Sequence, residues 1–227
     1  MYEHLDSLLA KVKKKIRTEF NRLGSMGFDD LNVVNTKKVT QQMFDRLLTA
    51  NEEAYLKAAV TAYRKATASA KDAGFVGEET EINSDWLLAV LLGYNLVTGY
   101  IYGREAERKR LRLNEQILTA REYDNRGAFN DSLRRTANLW WTQTMQYGVD
   151  VMDQATLRAY KDAGVQYVRW IAELDERTCG ECGPRHMKIY RIDKAPSKTH
   201  YGCRCRLEPV KKGEENEESG TDSMSGM

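Results

Sequence analysis

Residues 175–205 read D-E-R-T-C-G-E-C-G-P-R-H-M-K-I-Y-R-I-D-K-A-P-S-K-T-H-Y-G-C-R-C, and the organisation of the whole chain follows from this stretch. Cys179 and Cys182 are separated by two residues, each followed by glycine; His200 comes after a further seventeen intervening residues, with Cys203 and Cys205 behind it. The pattern C-x2-C, x17, H-x2-C-x-C is that of two ligand pairs brought together around a structural metal ion, with zinc the expected ion. Moving outward, all four cysteines and all three prolines of the 227-residue chain lie between Cys179 and Pro209. Proline in a helix interior costs roughly 3 kcal/mol, so a long proline-free stretch is what a chain of helices looks like. The expected fold is mainly α: a helical bundle body over 1–164, a small zinc-stabilised β-hairpin module over 165–210, and a disordered tail over 211–227.

Hydrophobic periodicity fills in the body. Leu5, Leu8, Leu9, Val12, Ile16, Phe20 and Leu23 recur at steps of three and four, one stripe of an amphipathic helix whose other face carries Lys11, Lys13, Lys14, Lys15 and Arg17. No apolar core of a leader follows them, so a solvated face over a core stripe is expected rather than a signal peptide or a membrane-surface helix. A second helix is expected from Thr36 to Ala73, ended by Gly74 and Gly77. Ser84 or Asp85 offers an N-cap for the uncharged run Trp86–Tyr102. That run is shorter than the roughly 20 residues a membrane span needs, and it reads as a helix buried inside the bundle. Charged helix follows over Arg104–Tyr123, then a helix from Phe129 to Tyr147, an interruption at Gly148, and a short helix over Asp153–Asp162.

In the C-terminal module, Val165–Ile171 is rich in β-branched and aromatic residues and is expected to be a strand. A hairpin is expected from Lys188–Ile192 and Cys203–Val210, with a loop at Pro196 and Ser197. The glycines after Cys179 and Cys182 are expected to permit the turn of the knuckle. Five candidates then compete for four tetrahedral positions: Cys179 and Cys182, with two of His200, Cys203 and Cys205; His186 is a sixth, weaker candidate. Cys203, Cys205 and Leu207 alternate along a strand and face one side. Two disulfides are the competing reading of the four cysteines. A closed set of four good ligands points away from a catalytic metal, which keeps an open position. Asp175 and Thr178 are expected to cap the turn, with Arg177 pairing locally.

The overall charge is +2, so any polyanion-binding surface has to be local. Residues 179–206 hold seven basic and two acidic side chains, a net of +5. Arg185, Lys188, Arg191, Lys198, Arg204 and Arg206 therefore form a candidate patch for nucleic acid or an acidic partner. No phosphate loop, nucleophile elbow or paired-carboxylate motif is found in the helical region, so no catalytic residue is assigned.

Trp170-x4-Asp175-Glu-Arg-Thr-Cys179-x2-Cys182, followed by Pro196-x3-His200-x2-Cys203-Arg-Cys205, resembles the head morphogenesis (minor head protein, Mu F-like) family of tailed bacteriophages. The resemblance covers about Arg134–Pro209 and includes Thr142–Gln143–Thr144, where the family has an acid in place of Gln143. It implies a non-enzymatic minor structural protein of the virion, packaged in the capsid interior or at the portal vertex after assembly in the host cytoplasm. Its implied partners are the portal protein, capsid or scaffold proteins and packaged DNA. It further implies a role in head assembly and in DNA packaging or delivery. The basic module and its histidines also fit two other readings, a metal-dependent nuclease or toxin-like enzyme and a zinc-ribbon nucleic-acid binder.

Overall fold

The computed structural model describes residues 3–98, 103–196, 203–211 and 214. Among them the chain runs α1 (Glu3–Gly24), α2 (Val33–Asp72), α3 (Ser84–Thr98), α4 (Gly103–Glu122), α5 (Arg126–Asp162), then β1 (Tyr167–Ile171), β2 (Ile189–Arg191) and β3 (Arg206–Pro209). The chain is mainly helical with a small antiparallel sheet near its C-terminus. No described helix is long and apolar enough to cross a membrane. His200, Lys198 and nearly all of the tail lie outside the described residues.

Helix boundaries follow local chemistry. Asn32, Asn83 and Asn125 each accept, through Oδ1, the backbone N–H three residues on, at 2.9, 3.1 and 2.9 Å. The α3 cap is therefore Asn83, one residue ahead of the expected Ser84 or Asp85; its amide oxygen satisfies a donor that helix geometry leaves open. At the other ends, Gly74 and Gly164 adopt φ of 90° and 81°. Phe75 N–H reaches Ala70 O and Val165 N–H reaches Tyr160 O, closing both helices with the paired bonds of a left-handed cap.

Two expectations for the helices change. α5 continues through Gly148 instead of stopping there. A Cβ at Gly148 would lie 2.9 Å from Leu5 Cδ1 and 3.2 Å from Leu9 Cδ1. The glycine is thus a close-approach point for α1, and the burial of Leu5 and Leu9 offsets a helix-propensity loss of about 1 kcal/mol. α3 is not buried all round: Leu87 and Leu91 are buried, while Leu88 and Leu92 are 49% and 47% exposed. One apolar ridge of α3 enters the core and the other faces solvent.

The chain divides into two compact units. Residues 3–58 and 83–151 form the larger unit, in which every described element is a helix. Its core holds α1 against α5 through the buried stripe Leu5, Leu9, Val12, Ile16, Phe20 and Leu23. Buried polar pairs join its other helices: Thr40 Oγ1 to Asn114 Oδ1 at 2.6 Å between α2 and α4, and Asn51 Nδ2 to Thr144 Oγ1 at 3.2 Å between α2 and α5. Glu19, only 4% exposed, is neutralised by Arg46 and Lys15. The Arg46 guanidinium first, then Lys15, holds its carboxyl below the usual carboxylate range against the opposing effect of burial.

The second unit contains the sheet together with residues 59–82 and 152–166, so the sheet shares its unit with helical segments from before residue 164. Tyr160 near the end of α5 is fully buried and donates its hydroxyl proton to Leu207 O at 3.2 Å. Burial pushes the Tyr160 phenol up to about 12. Within the same unit Tyr63 donates to Asp162 at 2.7 Å and accepts the Thr80 N–H at 2.6 Å. Gly77 lies in this loop. A Cβ there would sit 1.9 Å from the Asp162 carbonyl oxygen, so its role is close approach rather than helix termination.

The strand order is β2-β1-β3, with both pairings antiparallel. Val168 faces Tyr190 on one side and Pro209 on the other; Trp170 faces Leu207. The two strands expected to form a hairpin therefore flank β1 instead of pairing with each other. β1 carries Val168 and Trp170, 0% and 2% exposed. As the most apolar strand it takes the centre, where both of its edges are hydrogen-bonded.

Candidate metal centre

The knuckle forms directly after β1. Thr178 Oγ1 accepts the Asp175 N–H at 2.8 Å, Asp175 Oδ1 accepts the Arg177 N–H at 2.9 Å, and Thr178 also donates to Glu173 O. Asp175 and Thr178 thus build the turn, and Arg177 stays near Asp175 at 3.8 Å. The chain then folds so that Cys182 N–H points at Cys179 Sγ, 3.2 Å away, while Gly183 N–H bonds Cys179 O. Pro184 opens a single 3-10 turn over Gly183–Arg185.

Gly180 and Gly183 do not adopt a left-handed φ, and added Cβ atoms would find open space at Gly180 and ordinary contact with Thr178 at 3.7 Å at Gly183. The turn therefore does not depend on their conformational freedom. Gly180→Ala is expected to change stability by no more than about 0.5 kcal/mol; a thermal melt that drops by several degrees would show that the knuckle needs glycine. The residue that does take a left-handed φ is Met187, at 64°. Its N–H bonds Trp170 O at 2.8 Å and turns the chain into β2.

From the other side, residues 203–205 lead into β3. Cys203 and Cys205 are each 3% exposed, as is Cys182, and with Trp170 and Ala172 they form one buried cluster against which Cys179 and Leu207 pack. The Sγ atoms of Cys182, Cys203 and Cys205 lie within 4.8 Å of one another. These three close, buried cysteines can hold a metal ion. None of the four cysteines is in a disulfide. Cys182 and Cys203 stand 3.7 Å apart, against about 2.05 Å for a disulfide. Two thiolates on a tetrahedral ion with bonds of about 2.3 Å would be separated by about 3.8 Å.

Electrostatics point the same way. Burial, then hydrogen bonding to Cys179, Cys205 and Cys203, pushes the Cys182 thiol well above its ordinary value. Thiolates crowded in an apolar pocket repel, and a cation relieves both the repulsion and the desolvation. Trp170 Nε1 is buried in the same cluster and has no acceptor among the described residues.

His186 stands outside the sulfur cluster. Its Nδ1 accepts the Ala172 N–H at 3.2 Å, a use that ties the loop to the end of β1. The arginines of the basic patch are mostly engaged within the module. Arg191 pairs with Asp193 at 2.5 Å, Arg206 with Glu208 and Glu173 at 2.9 and 3.2 Å, and Arg185 lies 5.4 Å from the Trp170 ring centre. Lys188 is exposed. Arg204 makes two bonds to Asp175, at 2.7 and 2.5 Å, joining the C-R-C element to the D-E-R-T-C element across 29 residues. No local periodicity reveals that pair, because it forms only when the two ends of the site meet.

The Arg204 guanidinium holds the Asp175 carboxyl at about 2. For a lowered carboxylate the stabilisation is complete above the unfolded value near 4 and disappears as pH falls through about 2. The stability difference between the wild type and Arg204→Ala is therefore expected to be constant above pH 4 and to shrink below it. Chemical denaturation across pH 2.5–7 measures this, and a difference that grows as pH falls would contradict the pairing.

Of the other residues in the resemblance, Thr144 is fully buried; its hydroxyl meets Asn51 and its carbonyl accepts the Tyr55 hydroxyl at 2.9 Å. Gln143 Oε1 is buried without a partner among the described residues. Compared with known proteins, the chain matches no protein-family model, no curated protein and no solved structure.

Proposed function

We propose that the C-terminal module is held by one structural Zn2+ and that the chain is a non-enzymatic minor structural protein of a tailed-phage head. In this reading it associates with the portal and assists head assembly and DNA packaging or delivery. The observation that carries it is convergence. Of the residues on which the resemblance rests, Trp170, Asp175, Thr178, Cys179, Cys182, Cys203, Arg204 and Cys205 lie together at one site, while His200 lies outside the described residues. Sulfur donors at tetrahedral spacing suit zinc or iron–sulfur chemistry. Cys179 is the natural fourth ligand, since it packs on the cluster and hydrogen-bonds with Cys182. With four sulfurs the ion has no open position, which supports a structural role over the nuclease or toxin-like reading. The internal pairing of Arg191, Arg204 and Arg206 favours this reading over a zinc-ribbon nucleic-acid binder, which would use those arginines on phosphates.

Two measurements test the two halves separately. Native mass spectrometry with elemental analysis is expected to find one zinc and four thiols per chain; two disulfides and no metal would refute the metal site. Co-sedimentation with proheads and virions, with the portal and major capsid proteins of the same genome present, is expected to retain the chain. Repeated absence from both particles would sink the assembly role while leaving the metal site standing.

A further inference from the structure

α1 and α5 leave between them a groove of about 890 Å3 that none of the preceding features uses. Ile16, Phe20 and Leu133 give it an apolar floor, and half-buried Trp141 stands at one end. Lys13, Lys14 and Arg17 rise from α1, and Arg134 from α5. No aspartate or glutamate lines it. Lys14 and Arg17 are exposed and have no ion pair among the described residues. Lys13 lies 4.9 Å from the Trp141 ring centre, and Arg134 pairs only with exposed Asp131 on its own helix. Ala10, Gly24 and Ala137 keep the walls low.

We propose that this groove is a docking site for an acidic amphipathic helix of a partner protein. The lining runs along α1 from Ala10 to Ser25, about four helical turns at 1.5 Å per residue. Small wall residues admit a third helix to normal packing distance. An apolar floor between cationic walls is complementary to a helix with an apolar ridge flanked by carboxylates. A membrane surface fits less well, because the apolar surface is recessed between Lys13, Lys14, Arg17 and Arg134 and does not form an exposed apolar face. A nucleic-acid backbone would place phosphates against Ile16, Phe20 and Leu133, which donate no hydrogen bond. A solvated basic face alone would need no trough. The proposal does not depend on the zinc or phage reading.

The test uses the full chain and a synthetic 15-residue amphipathic peptide with leucine along one ridge and glutamate on its flanks. A second peptide has lysine in place of each glutamate. By fluorescence anisotropy the acidic peptide is expected to bind saturably, at least about tenfold tighter than its lysine counterpart, and more weakly as salt rises. The double change Lys14→Glu with Arg17→Glu, on exposed positions, is expected to lower affinity about tenfold or more with an unchanged melting curve. Ala137→Phe, which fills the trough without altering charge, is expected to weaken binding as well. Equal binding of both peptides, no saturable binding, or binding unaffected by the charge reversal would overturn the proposal. It would equally be overturned if a 20-base-pair duplex or an anionic lipid vesicle bound through Lys14 and Arg17 while the acidic peptide did not. Self-association of the chain through this face without peptide binding would also overturn it.

Discussion

If the proposed zinc holds the cysteine cluster, chelation, or replacing Cys182 by serine, is expected to unfold the cluster while leaving most of the helical signal intact. Cys182 is central because its thiol meets the other three sulfurs. Serine there removes a soft ligand and leaves a buried hydroxyl among the remaining cysteines. Structural zinc supplies about 10–16 kcal/mol in small peptides, so even partial coupling to folding exceeds any single side-chain change in this chain. The sheet has three strands of five, three and four residues, too little apolar area to persist on its own account. Amide hydrogen exchange is the decisive measurement. Protection is expected to vanish in the three strands, 167–171, 189–191 and 206–209, and to weaken in 59–82 and 152–162, which share a compact unit with the sheet. Residues 3–58 and 83–151 are expected to keep theirs. Unchanged exchange in the three strands after chelation would mean that the cluster is not held by a metal.

Gly77→Ala is expected to destabilise the protein by about 3 kcal/mol, the upper range for overpacking a close contact. The added methyl would lie 1.9 Å from the Asp162 carbonyl and 2.6 Å from the α-carbon of Ala163, which are backbone atoms and not the ends of flexible side chains. Relief requires the loop to lift, and that would break the bonds from Thr80 N–H to the Tyr63 hydroxyl and from Arg158 to Thr80. For a chain of this length about 3 kcal/mol corresponds to a melting temperature lower by about 6–12 °C. Gly93→Ala makes the matched comparison. That glycine lies inside α3 with nothing within 4 Å of an added Cβ, so alanine is expected to be neutral or stabilising by up to about 1 kcal/mol. Equal effects at the two positions would contradict the close approach at Gly77.

The sequence by itself determined that the described residues up to Asp162 are helical in the main and that Cys182, Cys203 and Cys205 come together. Helical periodicity, the absence of proline and the cysteine spacing are local signals, each arising within a few turns of chain. Gly74 is legible for the same reason, since a left-handed cap is a property of one residue. Only the tertiary structure decided what depends on a distant neighbour. Gly148 reads as a helix breaker until Leu5 and Leu9 are seen to need its space. Two strands with hairpin spacing pair instead with β1, because β1 offers the apolar centre of the sheet. Three of the six residues of the basic patch, Arg191, Arg204 and Arg206, are paired with Asp193, Asp175, Glu173 and Glu208. Even the stretch 175–205, which names the site, does not show that Asp175 and Arg204 close it, because that bond exists only after the chain between them has folded.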